Sequence, residues 1–426
     1  MAQTGLPSLL WLEEGLRKAL RADGRALLEG FLAQEALRPE GDSTRPGERC
    51  YAGRAATCQS VFGPLTLRRN YYHDAQSGES RFPLDEALGL VENCTPALAR
   101  MMCRAGSLEP FEAASQSLEY YAGVKVEGRG IQRLINVVGP DLEEWVRQRP
   151  VPSPAPATPV FYVEGDGTGV PMRKGETQGR RGRQPDGTAR GREVKLGCVF
   201  TQHGVDEEGF PLRDPDTTSY VTSFAGAKEF GAILRTEAQQ RGIAGAARTV
   251  FLGDGAAWVW KLARINFPSA TTILDLYHAT EHLNALTEAL YGKDSAQAKT
   301  RAAAWLTLLK EEQEGVSTVL GLAEAGLPTH RARRKLAKKE IAYFRRNRTR
   351  MRYAEFRAQG LFIGSGVVEA GCKTVVGHRV KQSGMFWKVS GSHNVLTTRC
   401  AILSRRFEPY WLQRSNPKTD AISLAA

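Results

Sequence analysis

Two apolar, β-branched runs that both stop on Asp-Gly constrain this chain more than any other feature. The first, TPVFYVEGDGTGV (158–170), ends around Asp166, and the second, ARTVFLGDGA (247–256), ends at Asp254. Each reads as a strand that finishes on a carboxylate and then turns. Between and around them the pattern is regular. REVKLGCVFTQ (192–202) and TTSYVTSF (217–224) read as strands, residues 227–242 and 256–266 as helices, and ATTILDLYHA (270–279) as a strand running into a helix. Three strands followed by alternating helix and strand predict an α/β sheet.

In open α/β sheets, sites gather at the carboxyl ends of strands. If the first and fourth strands are neighbours, Asp166 and Asp254 face one crevice. Two carboxylates a few ångströms apart repel, so a proton or a cation must sit between them. Hard divalent cations are bound by such carboxylates together with phosphate oxygens. The plainer alternative is that each Asp-Gly is a turn pair whose side chain satisfies local N–H groups. A third acid, Glu369 in FIGSGVVEAGCK (362–373), falls in the first turn of a helix begun near Ser365 or Gly366. There it complements the helix dipole, which is a structural reason for its presence. Lys373 lies at i+4 from it, either as a surface ion pair or beside a phosphate.

Charge is placed unevenly. Of a formal +12, residues 331–352 carry +10 and residues 373–414 carry +7, leaving the remainder at −5. A positive C-terminal quarter suits a polyanion, although a solvated basic helix is the bland reading. The nominated contacts are Arg331, Arg333, Arg334, Lys338, Lys339, Arg345 and Arg346, with Arg68, Arg69 and Arg173 elsewhere. Seven cysteines at wide spacing argue against a disulfide framework and for a reducing compartment. The expectation is a cytoplasmic protein. No apolar run approaches the roughly 18 residues of a membrane span.

RPVPSPAPATP (149–159) carries five prolines and reads as a semi-rigid linker. Ahead of it, residues 6–36 read as a helix, 47–73 as β-containing and 95–148 as helical, the last either a helix-turn-helix reader or a plain bundle. The expected organisation is an N-terminal region (1–148), the linker (149–159), an α/β part (160–290), a basic helical segment (291–360), a further part with Glu369 (361–414) and a tail (415–426).

As an ordered set, GDGTGVP, REVKLGCVFTQ, FLGDGAAWVW, ILDLYHATEHL and IGSGVVEAGCKTVVGHRVKQSGMFW resemble bacterial insertion-sequence DDE transposases of the Kra group, relatives of the Mutator-like enzymes. The resemblance runs from about residue 60 to 411. It implies an α/β, ribonuclease H-like mixed-sheet core (160–290 and 361–414) with a basic helical insertion (291–360), preceded by a mainly helical N-terminal DNA-binding region (1–148), in a nucleoid-associated bacterial protein, and Asp166, Asp254 and Glu369 as the catalytic, metal-holding acids. It also implies two Mg²⁺ ions, replaceable by Mn²⁺, and Asp275 and His278 as an Asp-two-residues-His signature that orders the site or the DNA. The implied activity is binding of terminal inverted repeats, strand cleavage and strand transfer on double-stranded DNA by a homo-oligomer. Relatives commonly carry a cysteine pair after an Arg-rich β-run; LRRNYYHDAQSGESRFPLDEALGL has none, so zinc is not carried over. A structure-specific metal-dependent nuclease and a domesticated, non-catalytic DNA-binding protein are the competing readings.

Overall fold

Strand alternation and a tight turn make the first sheet. A computed structural model describes residues 8–33, 42–152, 158–182, 184–185 and 187–415. The middle of the Pro-rich segment (153–157) and the tail from 416 lie outside the described residues. The chain divides into two compact units, one of residues 1–143 and 405–426, the other of residues 144–404.

In the first unit, helix α1 (Leu9–Leu32) starts at Ser8, whose Oγ accepts the N–H of Trp11. Strands β1 (Glu48–Ser60) and β2 (Gly63–Asp74) form an antiparallel hairpin, which β3 (Ser80–Arg81) extends. Helices α2 (Pro83–Ala87) and α3 (Pro96–Leu108) begin on proline, which has no N–H to leave unpaired in the first turn. Helices α4 (Phe111–Ala122) and α5 (Gly128–Arg147) follow. Leu98, Ala99, Ile131, Leu134 and Ile135 are fully buried.

The second unit is built on a five-stranded mixed sheet. Its strands are β4 (Thr158–Pro171), β5 (Gly191–Gln202), β8 (Ser219–Ser223), β9 (Ala246–Gly253) and β10 (Thr271–Leu274), in the order β10-β9-β4-β5-β8. Short α6 (Lys174–Thr177) follows β4, and β6 (Gly204–Val205) with β7 (Pro211–Leu212) forms a small hairpin before β8. β4 pairs antiparallel with β5 and parallel with β9, and β9 pairs parallel with β10. The parallel rungs require crossovers, supplied by α7 (Ala227–Gln240) and α8 (Ala257–Asn266). Phe161, Val163, Val199 and Phe251 of the sheet pack with Phe230, Leu234, Val259 and Leu262 of these helices. Leu234 approaches the sheet at Gly197, where a Cβ would lie 2.6 Å from Leu234 Cδ1.

Residues 276–358 are helical. They comprise α9 (Leu276–Tyr291), α10 (Ala296–Glu311), α11 (Gly315–Ala325), α12 (Arg331–Asn347) and α13 (Tyr353–Ala358). The strand expected over 270–279 stops at Leu274, because the Asp275 carboxylate accepts the His278 N–H and caps α9. Helix α14 (Gly366–Gly371) runs through a π-helical turn (Cys372–Gly377) into α15 (His378–Val380), and α16 (Val389–Leu403) packs on β8. Helix α17 (Phe407–Ser415) groups with the first unit, where Tyr410 Oη donates to Asp141 at 2.6 Å. The compact units part between 404 and 405. No described helix is long and apolar enough to cross a membrane.

Truncating Leu234 to alanine empties the space over Gly197 that the sheet cannot collapse into. Such a cavity costs about 2–5 kcal/mol, and urea denaturation of L234A should show a lower midpoint with an unchanged slope.

Candidate functional site

The pairing register brings acids of neighbouring strands level. The last parallel rung of β4 on β9 joins Glu164 to Leu252, so two residues further on Asp166 stands level with Asp254. On the other side of β9, Leu274 pairs with Gly253, so Asp275 stands level with Asp254 too. A row of carboxylates therefore crosses three neighbouring strands, with Asp275 and Asp254 just past the ends of β10 and β9 and Asp166 inside β4, which does not finish on Asp166 as its sequence suggests but stays paired with β5 as far as Pro171.

Asp166 is half-buried; its Oδ1 accepts the Gly167 N–H at 2.6 Å and its Oδ2 accepts the Cys372 thiol at 3.3 Å. Asp254 accepts the Ala256 N–H at 2.9 Å, fulfilling the turn role its sequence suggested. Burial raises its carboxyl above the usual range, and the nearby Asp166 charge adds to this. Gly255 has φ +93°, and a Cβ there would sit 2.4 Å from the Tyr343 hydroxyl. That hydroxyl donates to the Asp254 carbonyl at 3.3 Å, so a side chain of α12 supports the turn.

Asp275 is wholly buried. Its Oδ2 accepts the N–H of His278 and faces His278 Nδ1, each at 2.9 Å, while Oδ1 accepts the Ser365 N–H at 2.6 Å. Burial pushes its carboxyl up, but the hydrogen bonds from His278 and Ser365 outweigh that and hold it below its ordinary value. The same partnership pushes the His278 imidazolium up to about 9. Glu369, half-buried on α14, accepts the Ser365 hydroxyl at 3.1 Å. Ligand atoms of Asp275, His278 and Glu369 lie within 4.8 Å of one another, the group among the described residues that is compact enough to hold a metal ion. The structure thus clusters one nominated catalytic acid with the two nominated ordering residues. Asp166 and Asp254 stand beside each other on the neighbouring strands. Lys373 is exposed on the π-helical turn.

Sequence reasoning missed Glu164. It is wholly buried, two residues before Asp166 and therefore on the same face of β4. Its Oε2 accepts the Val368 N–H at 2.8 Å and the Cys198 thiol at 3.5 Å, while Oε1 is buried without a hydrogen-bond partner. Burial pushes its carboxyl up to about 8, despite the Val368 hydrogen bond, and the charges of Asp275 and Glu369 add to the rise. A lone acid inside the apolar run was the available signal. Tyr162 and Gln202 were also missed. Tyr162 Oη accepts the Phe362 N–H at 3.1 Å, and Gln202 Nε2 donates to the Gly360 carbonyl at 2.7 Å.

The basic residues separate into two kinds. On α12, Arg331, Arg334, Lys338, Lys339, Arg345 and Arg346 are exposed, while Ala337, Ile341, Tyr343 and Phe344 face inward. Arg345 pairs with Glu324, and Lys339 with the buried Glu340, which also meets His282 at 2.6 Å. Arg333 is turned inward instead, its guanidinium donating to the Ala289 and Leu290 carbonyls that end α9. In the first unit, Arg69 pairs with Asp85 and lies 4.1 Å over the Phe82 ring. These two nominated contacts are committed inside the protein. Arg68 and Arg173 are exposed.

Residues 10–184 match the model of UPF0236, an uncharacterised protein family. The match takes in Asp166 and ends before Asp254 and Glu369. No curated protein matches the chain. Among solved structures, the Drosophila P element transposase strand transfer complex is similar with a TM-score of 0.37 and 10% identity, covering 72% of this chain and 91% of that one. That likeness is too low to carry an argument.

Glu164 makes stability pH-dependent in a defined direction. Unfolded, it ionises at its ordinary value of 4.5; folded, it holds its proton to about 8. Stability from this group is therefore complete below the lower value and lost as pH rises through the upper one. Urea midpoints taken across that window without divalent cations should fall less for E164Q than for the parent.

Proposed function

We propose that this chain is a DNA transposase of an insertion sequence, acting by metal-dependent phosphoryl transfer. The observation that carries the reading is the register that sets Asp166 of β4 level with Asp254, just past the end of the parallel strand β9, with the Glu369 helix hydrogen-bonded to Glu164 of β4 and to Asp275 past β10. The strand order β10-β9-β4-β5-β8, three strands antiparallel and two added in parallel, supports a ribonuclease H-like core.

Carboxylates are the donors a hard divalent cation takes, and Glu369 belongs both to the proposed acids and to the compact group with Asp275 and His278. Asp166, Asp254 and Glu369 offer carboxylate oxygens, and the mutual repulsion felt by Asp254 is relieved when positive charge enters. Asp166, Asp254 and Glu369 would hold Mg²⁺ or Mn²⁺, which when bound would activate the attacking hydroxyl and stabilise the leaving oxygen in an in-line displacement at phosphorus. The protein's own part is to place these acids and to hold DNA. Asp275 and His278 order the site from beside it. The outward row of α12, Arg331, Arg334, Lys338, Lys339, Arg345 and Arg346, is proposed to lie along the backbone, with Arg68, Arg173 and Lys373 as further phosphate contacts. Water as nucleophile yields cleavage, and a DNA 3′-hydroxyl yields joining. Bringing two transposon ends together calls for a homo-oligomer on DNA.

Two experiments test this. DNA carrying the element's inverted ends, incubated with protein and Mg²⁺ or Mn²⁺, should give joined products; cleavage alone would indicate a nuclease, and binding alone a non-catalytic descendant. Asp166→Ala, Asp254→Ala and Glu369→Ala should each lower product by about a hundredfold or more with end binding retained; loss of binding in all three would make the acids structural. In the second experiment, Arg334, Lys338 and Arg346 are changed together to glutamine. The slope of log affinity against log salt should become shallower by about 0.9 per lost phosphate contact. An unchanged slope would remove α12 from the DNA surface.

A further inference from the structure

We propose that Glu164 and Asp275 are positioning residues, a pair of buried carboxylates that clamp the helix carrying Glu369 onto the sheet. The inference rests on the reading of Glu369 as a catalytic acid, but its structural half stands on hydrogen bonds alone. Helix α14 opens a helical run that continues through the π-helical turn to Val380. Its first N–H groups have no partners within the helix. Here the partners come from two strands that are not adjacent in the sheet. Asp275, just past β10, takes the Ser365 N–H at 2.6 Å, and Glu164, within β4, takes the Val368 N–H at 2.8 Å.

The connection before the helix is tied down in the same way. Gln202 Nε2 holds the Gly360 carbonyl, Tyr162 Oη holds the Phe362 N–H, and the Leu276 N–H donates to the Ile363 carbonyl at 2.9 Å. Residues 360–368 are thus fastened at five points to the sheet and the start of α9. Glu369 follows directly, and its Oε1 is met by the hydroxyl of Ser365, the residue Asp275 holds.

Glu164 is a poor choice for stability alone. Its Oε1 is buried without a hydrogen-bond partner, and burying an unsatisfied carboxyl oxygen is costly. An apolar side chain of similar size packs there without that penalty. What the acid supplies, and an apolar side chain does not, is an acceptor rigidly placed by β4 for the third residue of the Glu369 helix. Since Asp166 lies two residues along the same strand face, one strand both carries one proposed acid and sets the position of another.

The test is hydrogen–deuterium exchange on the full-length protein, comparing wild type, E164Q and E164L. E164Q keeps an acceptor for Val368; E164L removes it at similar volume. Exchange in the peptide spanning 365–371 should rise about tenfold in E164L and stay near wild type in E164Q. Equal exchange in E164L and wild type, or an equal rise in E164Q, overturns the clamp. Should E164L fail to fold, E164A takes its place with the same criteria. Strand joining, measured in parallel, should fall in E164L and recover in E164Q, with DNA affinity unchanged in both. If the wild type joins no DNA, the transposase reading fails while the exchange result still decides the clamp. If exchange behaves as expected but E164L joins DNA at the wild-type rate, the helix is held by Glu164 without consequence for Glu369, and the positioning role is overturned.

Discussion

Parallel pairing of β4 with β9 is the constraint on which the rest of the second unit depends. A parallel rung admits one register when both strand faces are buried, because a slip by one residue turns every side chain over. Phe161 and Val163 of β4 pack on one face with Phe251 of β9, and that packing leaves no freedom to slide. The register set by this apolar core is what levels Asp166 with Asp254. The position of the acids is therefore a by-product of hydrophobic packing several residues away.

Around that register, buried polar groups do the joining that apolar contacts cannot. Tyr162, Glu164, Gln202 and Asp275 are all buried, and each holds a backbone group of residues 360–368. Burying such groups is unfavourable unless they are paired, so each specifies one arrangement of the segment it holds. The Asp275–His278 partnership belongs to the same network: it ends β10, begins α9 and fixes Ser365. Two elements distant in the chain are thereby brought to one strand end by a single side chain.

The basic insertion is tied to the site by a different kind of contact. Helix α12 turns its charge outward and its apolar side inward, and Tyr343 on the inward side reaches the Asp254 carbonyl. His282 of α9 stacks on the Tyr343 ring at 3.5 Å while its Nδ1 meets Glu340. A surface suited to polyanions is thus built on a helix whose buried face touches the turn after a proposed catalytic acid.

Most elements were legible in the residues alone: β-branched runs carrying Asp-Gly, a helical basic segment with one acid, and a β-containing N-terminal segment followed by a helical one. These are legible because side-chain periodicity and turn chemistry are local. The sequence also marked Asp166, Asp254, Asp275, His278 and Glu369, since charges stand out against apolar runs. What only the tertiary structure decided was which of them meet. The compact group of Asp275, His278 and Glu369, the inward turn of Arg333 and Arg69, and the use of Glu164 depend on partners tens to hundreds of residues away. Glu164 sat in plain view beside Asp166, yet an acid in an apolar run says nothing of its partner. The backbone N–H it accepts comes from Val368, 204 residues further on, and only the folded chain brings the two together.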